Sequence, residues 1–310
     1  AVVADTDHSA RNRLVIGLLL VSTFVVILNE TIMGVALPRL MADLSVTAVA
    51  GQWLTTAYML TMAVVIPVTG FLLQRLHTRP VFLLAMTLFS LGTLICAAAP
   101  GFGTLLAGRV VQASGTAIMM PLLMTTLLRL VPPHRRGRVM GNVTLAISVA
   151  PALGPAVSGV VLQWLSWRWL FGLVLPIALL VTVVGLRALR AAKVPDPEGP
   201  RPSLDALSVL LTAVGFGALV YGLAEAGGGA GRGALPVVAL VAGVLGVSLF
   251  VWRQLALQRG GQPLLDLRTL LHHQFTVALA LMSVAFMALM GVMILLPLYL
   301  QEVRGLSVLS

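Results

Sequence analysis

Charge is what this chain has least of. Asp, Glu, Lys and Arg together make up 10% of its 310 residues, and only 10 side chains are acidic. A soluble domain carries about 25% charged residues, so these few charges cannot clothe an ordinary water-facing surface. Cysteine is almost missing as well. Cys96 stands alone in an apolar run, which excludes a disulfide framework within the chain and a cysteine metal site. The adjacent His272 and His273 have no acidic or cysteine neighbours at ligand spacing, so no metal is expected. Glu225–Gly233, "EAGGGAGRG", lacks the Lys-Ser/Thr of a phosphate loop and reads as a turn. No nucleophile–base set stands out, so neither an enzyme nor a cofactor is expected.

Apolar residues fill the space that charge leaves. They make up 59% of the chain, and the mean hydropathy is +1.02. They come in blocks such as Leu14–Leu28, "LVIGLLLVSTFVVIL", and many blocks approach the ~20 residues that cross a bilayer as a helix. Backbone in hydrocarbon must satisfy its own hydrogen bonds, so helices are the expected form. Nine spans are predicted, at 14–36, 50–74, 80–99, 103–130, 137–165, 168–190, 205–225, 234–256 and 274–301. The first block shows no cleavage site and reads as a retained span.

The basic residues test this count. With the N-terminus in the cytoplasm, the inner loops hold Arg11, Arg13, Arg75, Arg79, Arg129, Arg135, Arg136, Arg138, Arg187, Arg190, Lys193, Arg201, Arg253, Arg259 and Arg268. The outer side holds Arg39, Arg168, Arg232 and Arg304, and Arg109 alone falls within a span. That asymmetry follows the positive-inside rule. The net charge of +10 is spread over short loops without a continuous basic face, so no nucleic acid partner is expected. The proline-rich "RAAKVPDPEGPRPSLD", Arg190–Asp205, reads as a cytoplasmic linker after six spans.

Several patterns recur at fixed places in this topology: "LNETIMGVALPRLMADL" in span one, "GFLLQRLHTRPVF" between spans two and three, "GRVVQASGTAIMMP" in span four, "APALGPAVSG" in span five and "LPLYLQEVRGLSVL" in span nine. Together they resemble the major facilitator superfamily, most closely its EmrB/QacA-type fourteen-span drug:proton antiporters. The sequence departs from that pattern at Asn29 and Gln74, where the family often has acids. The resemblance implies an all-α polytopic membrane protein of the major facilitator fold. Its expected divisions are a cytoplasmic tail (1–13), a six-helix N-terminal bundle (14–190), the linker (191–204), two additional helices (205–256), and a loop with the first helix of the C-terminal half (257–310). It further implies that about five more spans follow, so that this chain is a truncated piece.

Within the spans, ionisable side chains are few and therefore informative. Glu30 lies about 24 Å along span one, and Arg109 about 9 Å into the descending span four, at a similar depth. A charge at a helix centre costs about 2.5–3.5 kcal/mol on insertion scales. Spans one and four both line the central cavity of the resembled fold. Glu30 and Arg109 are accordingly the candidate proton-coupling pair. The alternatives are a water-satisfied carboxylate at the outer helix end and a structural arginine bonded to backbone carbonyls. Gln112, at i+3 from Arg109, shares its helix face and either orients it, contacts substrate, or simply packs. Asn29, Thr31, Trp53 and Tyr58 complete the candidate substrate cavity. Met33, Met59, Met62, Met119, Met120 and Met124 could add adaptable apolar surface or plain packing.

Gating is expected from two segments. Pro151 and Pro155 each remove a backbone donor, and Gly154 and Gly159 permit close helix approach. Gly70, Arg75 and Arg79 form a cytoplasmic loop that could latch neighbouring helix ends, or simply obey the positive-inside rule. The expected activity is proton-coupled export of hydrophobic or cationic drug-like compounds by alternating access. A carrier for another solute and a non-transporting fragment are the rivals. The expected partners are a small-molecule substrate, protons and the lipid bilayer. The expected setting is the plasma (inner) membrane, with the protein a multi-pass monomer.

Overall fold

The computed structural model describes residues 2–191, 205–227, 234–259 and 267–302. Most of the expected linker, the glycine-rich turn, and Lys193, Arg201, Arg232 and Arg304 lie outside these residues.

Among the described residues the chain is all helical. The order is α1 (Val2–Leu44), α2 (Ala48–Arg75), α3 (Thr78–Ala97), α4 (Phe102–Leu130), α5 (Pro133–Trp164), α6 (Arg168–Ala191), α7 (Ala206–Gly227), α8 (Ala234–Arg259) and α9 (His273–Glu302), with a 3₁₀ turn at Leu267–Leu271 before α9. Eight helices, α1 to α8, are long and apolar enough to cross a membrane. In α9 the apolar stretch with described side chains is His273–Ala288. The largest departure from expectation is α1. It begins at Val2 and ends at Leu44, where a tail and a span over 14–36 were expected. Hydropathy marks only the part of a helix that fits hydrocarbon, and polar residues extend it into the interface. Pro38 does not end α1 either, and its side chain is exposed.

The breaks between helices have local causes. Ser45 adopts a left-handed φ of 52°. Val46 N–H then reaches back to the Met41 carbonyl at 3.1 Å, the closing bond of a Schellman cap on α1. Thr47 caps α2 by accepting from the Ala50 N–H at 3.2 Å. Pro133 opens α5 at a position where no backbone donor is needed.

The first unit, residues 1–253, is built around α1 and α4. Helix α4 packs on α1, α2 and α3, while α1 also packs on α5 and α6. Their buried faces share one apolar core that includes Leu19, Leu54, Phe82, Phe89, Leu105 and Leu122. Glycine sets the closest approach. A Cβ at Gly115 of α4 would collide with the Ala85 carbonyl and Phe89 backbone of α3. Small residues of this kind are how membrane helices gain packing contact where no hydrophobic drive separates helix from lipid. In the second unit, residues 254–310, Arg268 donates to the Gln258 carbonyl at 2.7 Å. The described side chains of α9 are exposed.

Candidate functional site

Arg109 is 1% exposed, the largest buried charge among the described residues. It points from α4 into the contact with α2 and α3. Its Nη1 donates to Gln112 Oε1 at 2.7 Å, and its Nε makes a long bond, 3.5 Å, to the Leu54 carbonyl of α2. Its guanidinium carbon lies 3.8 Å from the centre of the Tyr58 ring. A desolvated cation–π contact of this sort contributes about 2 kcal/mol, comparable with the insertion cost of the charge.

Both supports are themselves fixed. Gln112 Nε2 donates to Thr93 Oγ1 at 2.8 Å, and Thr93 donates to the Phe89 carbonyl at 2.6 Å. Thr116 donates to the Gln112 backbone carbonyl at 3.1 Å, which leaves its oxygen to accept from the Tyr58 hydroxyl at 2.6 Å. Arg109 is thus held by side chains anchored on three helices. Its Nη2 carries no hydrogen bond among the described residues.

Glu30 is half-buried on α1, close enough for its charge and that of Arg109 to act on one another. No direct ion pair or hydrogen bond joins the two. Beside it, Asn29 is 1% exposed, and its Oδ1 has no hydrogen-bond partner. Thr31 donates to the Leu28 carbonyl of its own helix at 2.9 Å and lies 3.4 Å from the Ala150 carbonyl of α5. A Cβ at Gly154 would collide with Thr31, so Gly154 does mark the close approach of α5 to α1.

The structure therefore brings Arg109, Gln112 and Tyr58 into direct contact, and Glu30 within electrostatic reach. The Trp53 ring packs on Tyr221 of α7 at 5.9 Å between centroids. Gly159 has open space where a Cβ would stand, so the expected close approach occurs at Gly154 only. Gly70 is equally open. Pro151 and Pro155 lie within a helix that continues to Trp164. Arg75 and Arg79 are exposed. The contact shown for Arg75 is with Phe71 of its own helix, 5.8 Å to the ring centre. A contact between helix ends is made by Arg129 of α4, which donates to the Leu73 carbonyl of α2 at 3.2 Å. Arg136 closes the end of α4 through the Leu128 and Val131 carbonyls. Thr93, Thr116 and Arg129 were not singled out from the sequence. Among the described residues no His, Cys, Asp and Glu cluster could hold a metal.

Long apolar helices packed around a buried, oriented charge are the build of a multi-pass membrane protein. The profile of the Major Facilitator Superfamily matches residues 19–310, and the chain belongs to that family of transporters. It is 40% identical over 285 residues to the lincomycin resistance protein LmrB of Bacillus subtilis (strain 168), covering 91% of this chain and 58% of the relative. The probable multidrug resistance protein EmrY of Escherichia coli (strain K12) is 28% identical over 284 residues, covering 92% of this chain and 54% of EmrY. These relatives agree with the EmrB/QacA-type resemblance. The chain spans little more than half their length. Among solved structures, the peptide transporter POT in complex with sulfate aligns with a TM-score of 0.58 at 19% identity, over 79% of this chain and 52% of that one. The POT family transporter PepTSo aligns at 0.59 and 15% identity, over 80% and 55%. At such identities the likeness is one of fold.

Proposed function

We propose that the protein to which this chain belongs exports hydrophobic or cationic drug-like compounds in exchange for protons, by alternating access. The observation that carries the reading is the arrangement around Arg109. A guanidinium is immobilised inside the membrane with one edge unbonded, and the carboxylate of Glu30 lies within its field but not in contact. A carboxylate in a direct ion pair is held toward its charged form and resists taking up a proton. A carboxylate near a fixed cation, but free of it, can gain and lose a proton as its surroundings change between wet and dry. Lincomycin and multidrug resistance, the properties that name the relatives, point to the substrate class.

On this reading α1–α6 are the N-terminal bundle, α7 and α8 an additional pair, and α9 the first helix of a second bundle. The N-terminus lies in the cytoplasm, the protein sits in the plasma (inner) membrane, and it works as a monomer. Asn29 is a candidate substrate contact, with a buried Oδ1 that has no hydrogen-bond partner among the described residues. Everted vesicles containing the protein expressed from its full reading frame test the proposal, with lincomycin and a lipophilic cation as probes. An imposed pH gradient should drive accumulation, and collapsing it with a protonophore should abolish accumulation. Accumulation that survives the protonophore would overturn proton coupling.

A further inference from the structure

The hydroxyl of Thr93 decides which end of the Gln112 amide faces Arg109. Gln112 can meet its neighbours with either its carbonyl oxygen or its NH₂ group, whereas a guanidinium can only donate. The choice is made on α3. The Phe89 carbonyl can only accept, so Thr93 spends its single proton there, at 2.6 Å. What Thr93 then offers Gln112 is a lone pair, and the amide must turn its NH₂ toward it, at 2.8 Å. Oε1 is thereby left for Arg109, at 2.7 Å. Every member of this relay is buried: Thr93 and Gln112 are 0% exposed and Arg109 1%. Gly92 makes the relay possible. A Cβ there would run into the Gln112 backbone, so the bare glycine lets α3 come close enough for Thr93 to reach the amide.

We infer that Thr93 is a positioning residue for the coupling site. Through the amide of Gln112 it holds the Arg109 guanidinium in the place from which its charge acts on Glu30. The inference rests on the proton-coupled reading above, and it assigns a role to a threonine on a helix that carries no other member of the site. Without the hydroxyl, the Gln112 NH₂ group would be buried without an acceptor, an unfavourable state. Turning the amide over would only set a donor against a donor at Arg109, so the amide instead loses its anchor on α3, and Arg109 loses the fixed acceptor that orients it. In Thr93→Ser the relay is intact.

The test measures export driven by an imposed pH gradient, in vesicles carrying the protein from its full reading frame and normalised to folded protein. Thr93→Val keeps the shape and removes the hydroxyl. It should lower the maximal rate about tenfold, with the substrate KM within about twofold of wild type. Thr93→Ser should return the rate to within about twofold. The double variant Thr93→Val with Gln112→Leu should be no slower than Gln112→Leu alone, because Thr93 acts only through that amide. If Thr93→Val fails to reach the membrane, Thr93→Ala supplies the same comparison without a branched side chain. A wild-type rate in the variants lacking the hydroxyl would overturn the inference, as would failure of Thr93→Ser to rescue or an added loss in the double variant. Glu30→Gln, run in parallel, separates this role from the reading beneath it. If gradient-driven export is lost in Glu30→Gln but not in Thr93→Val, only the role of Thr93 falls. If it persists in Glu30→Gln, the coupling reading falls.

Discussion

Among the helix pairs that glycine draws together in this protein, α3–α4 and α7–α8 use the closeness differently. In α3 and α4, Gly92 and Gly115 bring backbones into contact, and the space between is threaded by polar side chains leading to Arg109. In α7 and α8, Gly215 meets Gly246 and Val247, and Gly243 meets Leu219. There the charges are moved to the end of the pair. Asp205, just before α7, receives Arg253 Nε at 2.7 Å and Nη2 at 2.9 Å, and also accepts from Ser208. The same device thus serves a buried charge in one pair and apolar packing in the other. The difference lies in what flanks the glycines: Thr93 and Gln112 in the first, aliphatic residues such as Leu219 and Val247 in the second.

This contrast can be broken experimentally, beginning with the largest effect. Arg109→Ala leaves Gln112 and Tyr58 in place but removes the cation. Gradient-driven export should fall at least about a hundredfold, as for loss of a group that acts in the coupling step itself, while membrane abundance stays within about twofold. Immunoblotting beside the vesicle assay checks both.

Gly115→Leu and Gly246→Leu form the next pair. Each forces a side chain into facing backbone, and overpacking of this kind costs about 1–3 kcal/mol. Both should lower the melting temperature in detergent. Only Gly115→Leu should also lower export per folded molecule, because only α3–α4 carries the relay to Arg109. Equal losses of export in both would erase the distinction.

The smallest effect concerns Asp205. The hydrogen bonds from Arg253 hold its carboxyl at about 2, below the ordinary value of 3.8. A carboxyl lowered on folding stabilises the fold above its unfolded value, about 3.9, and that stabilisation is lost as pH falls through the folded value. The melting temperature should therefore gain an acid-sensitive component between about pH 4 and pH 2. Asp205→Asn should remove that component and leave export at pH 7 unchanged.

How much of this was legible in the sequence follows from which interactions are local. Helix positions came through because the hydrocarbon requirement acts on each segment separately. Span 168–190 is α6 (Arg168–Ala191) to within a residue, and span 80–99 overlaps α3 (Thr78–Ala97). The ends of α1 did not, because its polar flanks extend the helix without a hydropathy signal. Arg109 and Gln112 could be paired in advance because i and i+3 share a face of one helix. Thr93 could not, since its partner is on another helix and its hydroxyl looks like any membrane threonine bonded to the carbonyl one turn back. Trp53 and Tyr58 share the aromatic character expected of a pocket, but five residues along a helix rotate one side chain well away from the other. Arg129 was hidden because the positive-inside rule already accounted for it.

On the proposed reading Glu30, under the influence of a fixed Arg109, carries the proton. This is tested most directly in proteoliposomes that trap a pH-sensitive dye, with the protein supplied from its full reading frame and a substrate gradient imposed. Wild type should move protons opposite to substrate, whereas Glu30→Gln should still exchange labelled for unlabelled substrate with no dye response. A dye response in Glu30→Gln equal to that of wild type would contradict the account.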